Sequence, residues 1–165
     1  MSMTFLLLWA GAVVTAPPPA QPAVDAVERA LAAAPAQMRE RATVIEWNRD
    51  FTYRTLKQGS KRLVCFELSG QPGQDQPFVS ECTSSGNLER VAQDLAFAAT
   101  GDQQTLVDRA ERTGKRAQPE YRSRLYRAAG PDPSHTRKTV SLFVHPEPPI
   151  ERRVLTPPTP PGLRP

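Results

Sequence analysis

Between Ala42 and Cys82 the apolar positions recur every second residue, interrupted by turn chemistry, and this stretch predicts a set of short β-strands. Thr43-Val44-Ile45-Glu46-Trp47 and Phe51-Thr52-Tyr53-Arg54-Thr55-Leu56 are β-rich runs. Asn48-Arg49-Asp50 separates them, the pattern of a hairpin with a short loop. Gln58-Gly59-Ser60-Lys61 supplies the next turn. A third strand, Arg62 to Leu68, sets Val64, Phe66 and Leu68 on one face and Leu63 and Cys65 on the other, because successive strand side chains point to opposite sides. A loop rich in glycine, proline and glutamine, Ser69 to Pro77, leads into Phe78-Val79-Ser80-Glu81-Cys82.

On either side of this stretch the period lengthens. From Ala23 to Ala34, Val24, Val27, Leu31 and Ala34 share one helical face, and Pro35 ends that helix while opening a short turn through Met38 to Arg41. Leu88, Val91, Ala92, Leu95, Ala98 and Ala99 form a second helical stripe, with Asn87 as its expected N-cap and Gly101 as its stop. Asp102 is the expected cap of a third helix that carries Leu106, Val107 and Ala110 inward and ends at Gly114. Glu120 to Ala128 returns to alternation, with Tyr121, Ser123 and Leu125 on one side and Arg122, Arg124 and Tyr126 on the other. Gly130-Pro131-Asp132-Pro133 reads as a turn, and Val140, Leu142 and Val144 alternate with Ser141, Phe143 and His145 in a last strand. The expected fold is α+β: a small mixed sheet of about five to six short strands, largely antiparallel, with an N-terminal helix and a helical hairpin packed on one face.

The two ends are different in kind. Phe5 to Ala16 is an apolar run too short to span a bilayer but suited to the hydrophobic region of a secretory signal peptide, so residues 1–16 are expected to be a leader. Residues 17–22 form a proline-rich linker, residues 23–145 a single domain, and residues 146–165 a proline-rich, disordered or polyproline-like tail. Export, whether to the periplasm or beyond the cell, changes how the only two cysteines are read. Cys65 and Cys82 are separated by sixteen residues, which matches neither a C-x-x-C redox pair nor a zinc knuckle, so one structural disulfide is expected.

Ala42-Thr43-Val44, Gly59 to Cys65, Pro72-Gly73, Cys82 and Gly130-Pro131-Asp132 together resemble a group of uncharacterised small secreted bacterial proteins. Those proteins carry a signal peptide, an "ATV" strand and a two-cysteine β region. Many of them have a Gly-Asn/Thr-Gly-aromatic segment before the first cysteine, where this chain has Ser60-Lys61-Arg62-Leu63-Val64. The resemblance implies export and a bacterial source, and it brings no activity.

Candidate chemistry is sparse. No G-x-S-x-G elbow, S-x-x-K or phosphate-cradling glycine loop is present. The acid pairs Glu46 with Glu67 and Glu81 with Glu89 arise freely among 17 acidic residues. His135 and His145, the only histidines, flank the last strand and with Asp132 could bind a metal or supply a general base; His135, Asp132 and Glu67 define the rival reading, a hydrolase-like enzyme whose site is assembled from scattered residues. The most distinctive charge feature runs from Arg109 to Lys138, with nine basic residues against three acidic ones, on a chain whose formal net charge is +4. Within it, Arg122, Arg124 and Tyr126 on one strand face are the candidate binding residues for an anionic envelope component or partner protein. A third reading makes the tail around Pro157 to Pro161 the partner-binding segment. The leading expectation is a small exported, disulfide-stabilised protein without catalytic activity, metal or cofactor. It is expected neither to read nucleic-acid sequence nor to stay anchored in a membrane after processing.

Overall fold

The computed structural model describes residues 23–144. The expected leader, linker and tail, and His145, lie outside the described residues. Helix α1, Ala23–Ala30, tightens into a 3₁₀ turn at Leu31–Ala33 that buries Leu31 and Ala33. Pro35, which cannot extend a helix, precedes a second 3₁₀ segment at Ala36–Arg41. Four strands follow, β1 (Thr43–Trp47), β2 (Tyr53–Lys57), β3 (Leu63–Glu67) and β4 (Phe78–Ser84). The helical pair α2 (Leu88–Ala99) and α3 (Gln103–Arg112) comes next, then β5 (Arg124–Asp132) and β6 (His135–Leu142). The strands form one six-stranded sheet in the order β2-β1-β3-β4-β5-β6. Every pairing is antiparallel except β1 with β3, where Thr43 faces Val64 and Val44 faces Cys65. This is the expected α+β architecture.

The parallel pairing depends on a tight approach. The chain leaving β2 crosses the start of β1 at Gly59, where a Cβ would lie 2.4 Å from the Arg41 carbonyl oxygen and from the Thr43 nitrogen. Ser60 N and Lys61 N then both donate to that same Arg41 oxygen at 3.1 Å. Only glycine leaves room for this crossing.

Strand alternation splits the core in two. On one face Val44, Leu63, Cys65, Cys82 and Ala128 pack under Ala30, Leu31, Ala33 and Ala34. On the other, Ile45, Trp47, Val64, Phe66, Leu68 and Val79 pack under Leu88 and Leu95 of α2. The two faces predicted for the third strand are therefore the two core layers. The helical hairpin covers one side of the sheet, with α3 resting on α2, and α1 covers the other. Ser80 fixes α1 to the sheet, its hydroxyl donating to Ala30 O at 2.7 Å and accepting from Ala33 N at 3.3 Å. Arg29 adds an ion pair with Glu67 and lies 5.0 Å from the ring centre of Phe78. Cys65 and Cys82 face each other in register on β3 and β4 and are joined as a disulfide.

Three local expectations are corrected. Asn87 and Asp102 make no capping hydrogen bond to their helices. Strand β5 starts at Arg124 rather than Glu120, because Arg122 sits at φ 61°, a left-handed conformation that breaks an extended run. The turn expected over Gly130–Pro133 is shorter: β5 runs on to Asp132, the turn residues are Pro133 and Ser134, and β6 already begins at His135. The irregular register between Ala129 and Asp132 brings the backbones together at Gly130, where a Cβ would sit 1.9 Å from His135 O.

Candidate functional site

The site is set by a segment with no regular structure, the connection from α3 to β5. Arg116, only 5% exposed, anchors its start: one guanidinium nitrogen donates to Gln93 Oε1 at 2.6 Å, another pairs with Asp94, and the group lies over Phe97. The end is held by Asn87, which is buried. Its amide nitrogen donates to Thr83 Oγ1 at 2.7 Å and Ser123 Oγ at 2.9 Å, and its oxygen accepts from Glu120 N at 2.6 Å. Ser123 N and its hydroxyl both donate to Glu120 O, closing a tight turn over Glu120–Ser123 that carries Arg122 into its left-handed conformation.

That turn sets Tyr121 and Arg122 beside the Lys61-Arg62 entry to β3. Together with Arg124 and Tyr126 they line a groove of about 690 Å³, whose wall also includes Met38, Leu63 and Leu142. The three residues predicted for binding are thus brought to one site, although Arg122 reaches it from the turn and not from the strand. Glu120 is the one carboxylate in the lining among the described residues, and it is engaged: Ser84 Oγ donates to it and Arg62 pairs with it at 3.0 Å. Among the described residues Lys61, Arg122 and Arg124 hold no ion pair with a carboxylate, and Arg122 lies 5.7 Å from the ring centre of Tyr121. The groove therefore presents uncompensated positive charge beside two tyrosine rings, a combination that receives phosphate or carboxylate groups.

The remaining basic residues of the 109–138 stretch do not join this surface as a block. Arg116 and Arg127 are spent on internal pairs, Arg109 and Arg112 lie on α3, and Arg137 faces the α2 side of the sheet.

Of the rival catalytic set, Asp132 and His135 meet, but Glu67 lies apart from them. Asp132 Oδ1 accepts from Ser134 N at 2.8 Å and His135 N at 3.0 Å, and the His135 ring nitrogen lies 2.9 Å from the other carboxylate oxygen. The contact with His135 is the main reason the Asp132 carboxyl is held below its ordinary value. Glu67 belongs to Arg29. It stands opposite Ser80, which stands opposite Ala128, four residues short of Asp132 and so roughly 13 Å away along the strand. The two clusters serve a hairpin turn and a helix anchor.

A second concavity, of about 360 Å³, lies between α2 and the sheet, where Glu81, Asp94, Arg90 and Arg127 meet an apolar wall that includes Leu95 and Phe143. Burial pushes the Glu81 carboxyl above its ordinary 4.5, opposed by the hydrogen bond and charge of Arg127 at 2.7 Å. Arg127 also reaches Asp75 at 3.1 Å and so ties down the 69–77 loop. Each acid in this cleft has its own guanidinium, Arg127 for Glu81 and Arg116 for Asp94. Glu89, the sequence partner considered for Glu81, is exposed.

Among the described residues no group of three or more His, Cys, Asp or Glu side chains is placed to hold a metal ion. None of their helices is long and apolar enough to cross a membrane. Comparison with protein-family models, with curated proteins and with solved structures found no match to this chain.

Proposed function

We propose that the protein is a non-catalytic binding protein of the cell envelope that takes an anionic component in the groove between Lys61 and Tyr126. The observation that carries this reading is the gathering of Lys61, Arg122 and Arg124 around one cleft with no carboxylate pairing them among the described residues. Location outside the cytoplasm is part of the proposal. It rests on the expected leader at 1–16 together with the Cys65–Cys82 bridge, a bond that persists in oxidising compartments.

The test uses soluble polyphosphate as the probe, titrated at several salt concentrations. Binding is expected to weaken steeply with salt, and Arg122→Ala with Arg124→Ala is expected to lower the log–log salt slope by about one per contact removed. Binding that ignores both salt and the double substitution overturns the reading.

A further inference from the structure

On the α1 face of the sheet, cover thins toward the end of β6. Tyr126 packs against the α1 layer, while Val140 across from it and Leu142 across from Arg124 are left largely open. Val140 is 61% exposed, Leu142 54% and the following Val144 66%; Tyr121, in the groove wall, is 52%. Of the five large apolar side chains most open to water among the described residues, these are four. Aliphatic surface left uncovered at one place, rimmed by charge, marks a contact site.

The rim is cationic. Arg124 stands across from Leu142, Lys138 across from Ala128 on the same face, and Arg122 and Lys61 line the adjoining groove. None of the four holds an ion pair among the described residues. Three occupants can be weighed against this pattern. A soluble polyanion or a nucleic-acid strand accounts for the cations but leaves Val140 and Leu142 in water, since strand binding relies on aromatic stacking and not on aliphatic contact. A second copy of the chain would cover the aliphatics, yet a two-fold contact sets a patch against itself and drives these cations toward their own kind. An anionic lipid leaflet answers both needs, with phosphates for the cations and the boundary of the acyl region for the aliphatics.

We infer that the β5–β6 end of the sheet is a docking surface for an anionic lipid leaflet, with Leu142, Val140 and Tyr121 entering the headgroup layer while Arg122, Arg124 and Lys138 meet lipid phosphates. This inference rests on the anion-binding reading above and names its ligand. The attachment is reversible, because a few short side chains and a handful of charges fall far below the hold of a spanning helix. Each cation near such a surface raises partitioning roughly fivefold, so the three named are enough for salt-sensitive capture.

Co-sedimentation with phosphatidylglycerol–phosphatidylcholine vesicles, beside phosphatidylcholine vesicles and soluble polyphosphate, tests it. The protein should pellet with the phosphatidylglycerol vesicles and stay in solution with phosphatidylcholine alone. Val140→Ser with Val144→Ser removes two side chains that are more than half exposed and lie outside the groove lining, so the fold survives, as circular dichroism will check. This variant should lose vesicle partitioning by roughly tenfold or more while keeping its polyphosphate affinity. Vesicle binding that the serines leave unchanged, or polyphosphate binding with no vesicle binding, overturns the lipid inference and leaves the anion-binding reading in place. Serines that abolish a self-association in a protein that ignores vesicles assign the strip to a second copy and overturn it as well. Failure to bind either anionic probe removes both.

Discussion

Asn87 shows how much one buried amide can organise. Both its donor and its acceptor capacity go to groups on other segments, Thr83 behind it and Glu120 and Ser123 more than thirty residues ahead. Asn87→Ala leaves Glu120 N and two hydroxyls without their partner and is expected to cost roughly 2–3 kcal/mol in urea unfolding. It should also weaken polyphosphate binding, although Asn87 itself does not line the groove. Glu81 makes a different prediction. Its carboxyl is raised above 4.5 by burial, so the folded state holds that proton more tightly than the unfolded chain does. Its contribution to stability is therefore greatest in acid and falls as pH rises from the ordinary value through the raised one. Glu81→Gln is expected to flatten that part of the pH–stability curve, read from urea midpoints between about pH 4 and about pH 8. An unchanged slope would contradict this account of the cleft.

At the scale of elements, the bridge between β3 and β4 constrains a hairpin whose pairing runs from Leu63 with Ser84 to Glu67 with Ser80. Replacing both cysteines by alanine is expected to lower stability by roughly 3 kcal/mol, seen as a lower urea midpoint with the strand content of circular dichroism retained. The strands β1 and β3 and the helix α2 were legible in the sequence because each buries a clean periodic set, such as Val64, Phe66 and Leu68 against Leu63 and Cys65. What escaped did so for physical reasons. Tyr121 and Arg122 continue the alternation of β5 in letters, but the turn that removes them from the strand is dictated by Asn87, and such a long-range partner leaves no local mark. The first half of β6, His135-Thr136-Arg137-Lys138, carries no apolar pattern, since an edge strand exposed on both faces needs none. Arg122, Arg124 and Tyr126 could be named from one stretch; Lys61 and Arg62 join them only through the sheet order, roughly sixty residues away.

At the scale of the whole molecule, the described residues form one sheet shared by two cores, and β3 sends alternate side chains into both. Neither layer can come apart while the other keeps that strand. Unfolding is expected as a single transition, with Trp47 fluorescence in a Trp9→Phe background, which reports the α2 layer, coinciding with far-ultraviolet circular dichroism. Separate midpoints would show that the layers are independent. The disulfide has one further consequence for how the molecule wears. The sulfurs bracket the 69–77 loop, whose tip at Asp75 is exposed, while β3 on one side and β4 on the other are buried. A protease cutting that tip would leave two pieces still covalently joined and still interleaved through the sheet. On a gel run without reductant the nicked protein would migrate as one band, and only added thiol would reveal the cut.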